Sequence, residues 1–243
     1  MKMQKMIFSV IMVFSLTVSL SAGYDEALEL YNRGEYMKSI YAVADVLLIE
    51  KDMDPSSENY KLRFLAAHCH WRLGNYDKAM THFIKTREIR PDSLDPLIDM
   101  ALMNLEANRN SHAEAYAKAV LDKDPKNSLA LYVFGGVMAS RGNYAAAQDY
   151  YQRIIAAETE HYAAYNALGK VLMSQKKYGN AETAFSTAVA LNSNSAEVYN
   201  NLAICYYRLE KVDLAKETIE KALTLDPDND SIRRNKQLID KGI

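Results

Sequence analysis

His68-Cys69-His70, with His82 twelve positions on, are the residues of this chain whose types suit a transition metal, and Cys205 adds a second thiol. Their spacing does not suit one. Neighbours on a helix point about 100° apart, so three in a row cannot converge on a single ion, and neither C-x-x-C nor H-E-x-x-H is present. G-x-S-x-G, a phosphate-cradling glycine loop and G-x-G-x-x-G are missing as well. The residues therefore predict no metal, no cofactor and no enzyme.

What must position these side chains is a repeat. Ala79, Ala113, Ala147, Ala181 and Ala215 recur every 34 residues, as do the small residues Ala67, Ala101, Gly135, Gly169 and Ala203. Pro91, Pro125 and Pro227 lie on a third such track, which Thr159 and Ser193 complete. A period in this range marks a solenoid, in which each unit packs on its neighbours and function sits on a surface. The predicted units are residues 60–93, 94–127, 128–161, 162–195 and 196–229. Each reads as two helices. In the last, Tyr199, Leu202, Ala203, Ile204 and Tyr206 space out one apolar face, and Leu214, Ala215, Ile219, Ala222 and Leu223 a second. Arg208 to Val212 make the turn between them. Gly74 and Gly142 supply left-handed helix ends in other units, and the prolines stop the second helices.

The flanks differ. Residues 24–57 read as a shortened helical pair, Tyr24 to Arg33 and Tyr36 to Lys51, followed by a linker from Asp52 to Ser57 that contains Pro55 and displaces the register. Asp230 to Lys241, within residues 230–243, reads as a polar capping helix. Residues 1–23 have a basic start, an apolar run from Met6 to Leu20, and then Ser21-Ala22-Gly23, the pattern of a secretory signal peptide cleaved after Ala22 or Gly23. The run is shorter than the roughly 20 residues of a spanning helix. An exported, periplasmic protein without stable membrane insertion is expected, with an uncleaved inner-membrane anchor as the alternative. No cysteine follows the leader, so no lipoprotein anchor is expected.

The formal net charge is −2, from 29 basic and 31 acidic side chains, and loss of Lys2 and Lys5 with the leader would make it more negative. There is no basic stripe for a phosphate backbone, and no nucleic-acid partner is expected. The two cysteines of an exported chain invite a disulfide. The repeat separates them: Cys69 and Cys205 share one slot four units apart, on the order of tens of ångströms at helical layer spacing, whereas a bridge needs Cα atoms within about 7 Å. Both are expected as buried, reduced fillers.

Tyr199, Leu202, Ala203, Tyr206, Ala215, Ile219, Ala222 and Pro227, echoed by Tyr165, Leu168, Gly169, Leu172, Ala181, Phe185 and Ala188, resemble the tetratricopeptide repeat family from Tyr60 to Pro227. The resemblance implies an all-α, right-handed α-solenoid of antiparallel helix pairs. Arg63, His70, Asn104 and Asn110 depart from it where larger apolar or aromatic residues are usual. It also implies a concave groove, lined by the first helices, that holds a protein or peptide partner. By position the groove carries Phe64, His68 and Trp71, then Ile98, Leu102 and Leu105, then Tyr132, then Asn166, Lys170 and Met173, and finally Asn200, Ile204 and Tyr207. Of these, Ile98, Leu102 and Ile204 are expected to pack against neighbouring first helices. The Lys and Asn clamp by which some members hold a chaperone's terminal carboxylate is absent: Phe64, His68, Asp99, Leu129 and Val133 occupy its slots. The expected role is a non-catalytic envelope scaffold, or alternatively a structural subunit of a secretion, pilus or flagellar machine.

Overall fold

Left-handed residues set the helix ends at one position per repeat. Gly74, Asn108, Gly142, Lys176 and Glu210 have φ of 72°, 56°, 76°, 58° and 61°. After each, the next N–H reaches back to close the helix, as Asn75 N does to His70 O (2.8 Å) and Lys177 N to Leu172 O (2.9 Å). Only two of the five carry the glycine that suits this geometry, so the turn signal was readable in only those two repeats.

A computed structural model describes residues 23–49 and 57–242. These form helices and no strand: α1 (residues 23–32), α2 (Tyr36–Ile49), α3 (Ser57–Arg72), α4 (Tyr76–Ile89), α5 (Asp95–Glu106), α6 (Asn110–Leu121), α7 (Ser128–Ser140), α8 (Tyr144–Ala157), α9 (Tyr162–Ser174), α10 (Tyr178–Leu191), α11 (Ala196–Arg208), α12 (Val212–Leu225) and α13 (Asp230–Lys241). The chain is an all-α repeat solenoid. The predicted leader up to Ala22 and most of the predicted linker lie outside the described residues, Gly23 opens α1, and α3 opens at Ser57, three residues before Tyr60. Asn127, Asn143, His161, Ser195 and Asn229 cap their helices by accepting from the first-turn N–H groups.

Two compact units divide the chain, Met1–His112 and Ala113–Ile243. In the first, α2 packs on α3, α3 on α4, and α4 on α5. Its core joins Ala27, Val43, Leu62, Leu65, Ala66 and Cys69. The Cys69 thiol donates to Ser39 Oγ (3.3 Å), whose own hydroxyl donates to the Ala27 carbonyl (2.7 Å). In the second unit successive helices from α7 to α13 pack in order, and first helices also touch one another, α7 with α9, α9 with α11, and α11 with α13. The capping helix thus takes the place of one more first helix.

All five alanines of the 34-residue track are fully buried. Beside them two glycines face rings at close approach. A Cβ built on Gly135 would lie 2.6 Å from the Tyr151 ring, and one on Gly169 2.5 Å from the Phe185 ring. A ring four residues past the alanine fills the space that each glycine leaves. Three of the four departures from the repeat pattern find partners, while Asn110 Oδ1 is buried without one among the described residues. Arg63 Nε donates to Asn59 Oδ1 (2.7 Å), Asn104 donates to the Met100 carbonyl (2.7 Å), and His70 stacks on His82 with centroids 5.5 Å apart.

Candidate functional site

In the first unit the predicted residues form an aromatic ladder along α3. Tyr60 stacks on Phe64 at 5.6 Å, Phe64 meets His68 edge-on at 4.8 Å, and His68 stacks on Trp71 at 5.7 Å, the last three rings backed by the buried Phe83. The polar ends of these rings are occupied. His68 Nε2 lies 2.9 Å from Asp99 Oδ2, and Trp71 Nε1 donates to Glu106 Oε2 at 2.9 Å. His68 and Trp71 therefore join α3 to α5, Phe64 packs on Phe83 of α4, and all three keep half-buried faces. Ile98 is buried, and Leu102 and Leu105 are half-buried.

The three adjacent candidate ligands diverge as helical geometry requires. His68 turns to Trp71 and Asp99, Cys69 to Ser39, and His70 to His82. Among the described residues no group of three His, Cys, Asp or Glu side chains could hold a metal ion. Both thiols are free and buried; burial raises Cys69 and pushes Cys205 up to about 11, so neither is a nucleophile near neutral pH.

In the second unit Glu197, absent from the predicted groove, gathers three residues that were in it. Asn166 Nδ2 and Lys170 Nζ donate to Glu197 Oε1 at 3.2 and 3.3 Å. Tyr132 is near enough for that carboxylate to add to the effect of burial in raising its phenol. Asn166 is only 7% exposed, and its Oδ1 accepts from Asn201 Nδ2 at 2.9 Å. Its amide is spent on joining layers and is not offered to a ligand. One repeat on, Asn235 Nδ2 donates to Asn200 Oδ1 at 2.8 Å, the same 35-residue step.

Beyond this ladder a cavity of about 360 Å3 opens among α9, α11 and α13. Lys170 and Met173 contribute from α9, Asn200, Asn201, Ile204, Tyr207 and Arg208 from α11, and Asn235 and Leu238 from α13, with Phe185 of α10 behind them. Four of the predicted groove residues, Lys170, Met173, Asn200 and Tyr207, thus share one hollow, and Ile204 lines it with them. Asn235 and Leu238 were missed because the apolar and polar pattern of α13 reads as a cap, and Arg208 because it reads as the first residue of the turn, whereas it closes α11. Counting one more repeat step from Ile204 to Leu238 would have found the last of them. A wider depression of about 570 Å3 lies over the α8–α9 turn, but its lining, Ala157 to Tyr162, is a single loop without convergent groups.

Family models described as tetratricopeptide repeat match residues 60–93, 98–163 together with 139–196, and 196–229. The chain belongs to the tetratricopeptide repeat family. A tetratricopeptide repeat protein from Parabacteroides merdae superposes with a TM-score of 0.77 at 14% identity, over 90% of this chain and 84% of its own. PilW, a type IV pilus biogenesis factor, does so with a TM-score of 0.69 at 20% identity, over 88% of this chain and 97% of that one. The APC/C hetero-tetramer Cut9-Hcn1 gives 0.75 at 14% identity, over 90% of this chain but only 42% of its counterpart, so this tetratricopeptide repeat protein spans less than half of that length. At these identities the likeness is one of fold. No curated protein matches in sequence. Tetratricopeptide repeat proteins serve generally as non-catalytic scaffolds for protein or peptide partners. Among the described residues no helix is long and apolar enough to cross a membrane.

Proposed function

We propose that this protein is an exported, non-catalytic scaffold of the cell envelope that holds a segment of a partner protein against the first helices of its second unit. The observation that carries the reading is the hollow among α9, α11 and α13. Side chains from three first-helix positions converge there on open space, with apolar and amide groups side by side, as a peptide requires. The basic, apolar and small-residue order of residues 1–23 supports export. The net charge of −2 favours a protein over a nucleic acid as the partner.

A second reading, a subunit of a larger envelope machine held by its outer surface, draws on α12, where Leu214 and Leu225 are 44% and 41% exposed. A photo-crosslinking residue placed at Ile204 or at Leu214 in cells of the source organism separates the two. Adducts from position 204 alone support the groove scaffold. Adducts from 214 alone overturn it in favour of the machine subunit. N-terminal sequencing of the protein from the same cells checks export: a start at Gly23 or Tyr24 agrees with a cleaved leader, and a retained Met1 assigns an anchor instead.

A further inference from the structure

The cations at the end of the second unit are unequally neutralised. On α13, Arg233 pairs with Asp228 at 2.8 Å, and Lys236 with Glu220 at 2.8 Å and Asp240 at 2.7 Å. Arg234 donates only to Ser231 Oγ at 3.0 Å, and neither it, Lys241 nor Arg208 makes an ion pair among the described residues. Arg208 lines the hollow. Arg234 and Lys241 stand one 34-residue step beyond Asn200 and Tyr207, two residues that line it, so the repeat carries the same face onto them.

Beside Arg208 the hollow has an apolar side. Met173, Ile204 and Leu238 lie together, and Leu238 remains 38% exposed although its helix caps the array. The amides around it are half used. Asn235 to Asn200 and Asn201 to Asn166 consume one donor and one acceptor each, which leaves Asn200 Nδ2 and the Oδ1 atoms of Asn201 and Asn235 without hydrogen-bond partners among the described residues. Free amide N–H groups and two free acceptor oxygens suit a peptide backbone, which carries both kinds of group. The unpaired Arg208 beside Met173, Ile204 and Leu238 suits a segment that sets an acid next to an apolar side chain.

We infer that the hollow among α9, α11 and α13 receives an apolar side chain of an extended acidic peptide, with Arg208 meeting the acidic side chain beside it. The capping helix is then a wall of the binding site as well as a lid on the core. This rests on the scaffold reading above and adds the chemistry of the partner.

The test is fluorescence anisotropy of the full chain with labelled synthetic peptides on one Gly-Ser frame, bearing Asp-Leu-Asp, Asp-Ser-Asp or Lys-Leu-Lys at the centre, and with a thymidine oligonucleotide. The Asp-Leu-Asp peptide is expected to bind tightest, and Arg208→Glu and the exposed-site change Leu238→Asp each to weaken it by about tenfold. Arg208→Glu should also shift the preference towards Lys-Leu-Lys. Equal binding of Asp-Leu-Asp and Asp-Ser-Asp, binding of the oligonucleotide as strong as that of the peptide, or no binding at millimolar peptide overturns the assignment. Should position 204 still crosslink in cells after such a result, the scaffold survives and only the ligand chemistry falls.

Discussion

The Tyr151 ring lies where a side chain on Gly135 would have to be, its Cε1 2.6 Å from that Cβ position. The same sixteen-residue interval joins Gly169 to Phe185, and the corresponding pair in the last repeat is Ala203 with Ile219. In these last three repeats glycine stands opposite a ring and alanine opposite an aliphatic chain, so they hold the summed volume at the crossing while exchanging its parts, whereas Ala67 with Phe83 and Ala101 with Ala117 in the first two do not.

Gly135→Ala should therefore destabilise the protein by about 1–3 kcal/mol through overpacking, because Tyr151 is buried and cannot swing away. Adding Tyr151→Ile, which reproduces the Ala203 and Ile219 pairing, should restore part of that loss. A double-mutant cycle by urea unfolding measures the coupling, and strictly additive effects would contradict the volume argument. Ala147→Leu, at the neighbouring fully buried position, should cost a similar amount with no such rescue.

Asn166→Ala is expected to act on stability, costing about 1–3 kcal/mol, since it strands the Asn201 amide and removes one of the two donors to Glu197. Thermal melting checks the magnitude. A melt identical to the parent would show that the amide ladder contributes nothing between layers.

Lys176 and Glu210 hold the left-handed conformation in which Gly74 and Gly142 are comfortable. Lys176→Gly and Glu210→Gly should each stabilise by up to about 1 kcal/mol, as relief of the Cβ clash outweighs the extra freedom glycine gives the unfolded chain. Proline at either site, which cannot adopt positive φ, should destabilise strongly. Calorimetric melting of the four variants decides both signs.

The period, the helix pairs and the buried alanine track are legible in the sequence because they depend on side-chain size at fixed intervals, which the chain displays directly. The groove is legible only in part. Lys170, Met173, Asn200 and Tyr207 share the hollow as their register implies, but Asn166 points along the same line and is consumed by Asn201 and Glu197. Whether an amide faces open space or the next layer depends on what stands 31 and 35 residues later, and a periodicity argument weighs each repeat alone. The same blindness hid His70: a histidine in an aromatic slot reads as a defect until His82 is found stacked on it.

That pair makes the first unit sensitive to acid. His70 and His82 stack at 5.5 Å between α3 and α4, and neither Nδ1 has a hydrogen-bond partner among the described residues. Burial comes first in holding His82 down to about 4, with His70 and Arg63 adding repulsion; burial and Lys78 lower His70. A folded-state pKa below that of the unfolded chain means that the unfolded state takes up protons first as pH falls. The contribution is therefore intact above the unfolded value of about 6.5 and declines steadily as pH drops through 6 and 5 towards 4. The loss should reach roughly 1–2 kcal/mol once partial solvent access is allowed for. His82→Phe keeps a ring against His70 and removes one titration, so its melting temperature should fall less between pH 7 and pH 4.5 than that of the parent. Carboxylates elsewhere contribute to both proteins alike, which leaves the difference between the two curves as the signature of the pair. If the curves run parallel across that range, the two imidazoles are already charged or already open to water, and the packing assigned to α3 and α4 is wrong at this point.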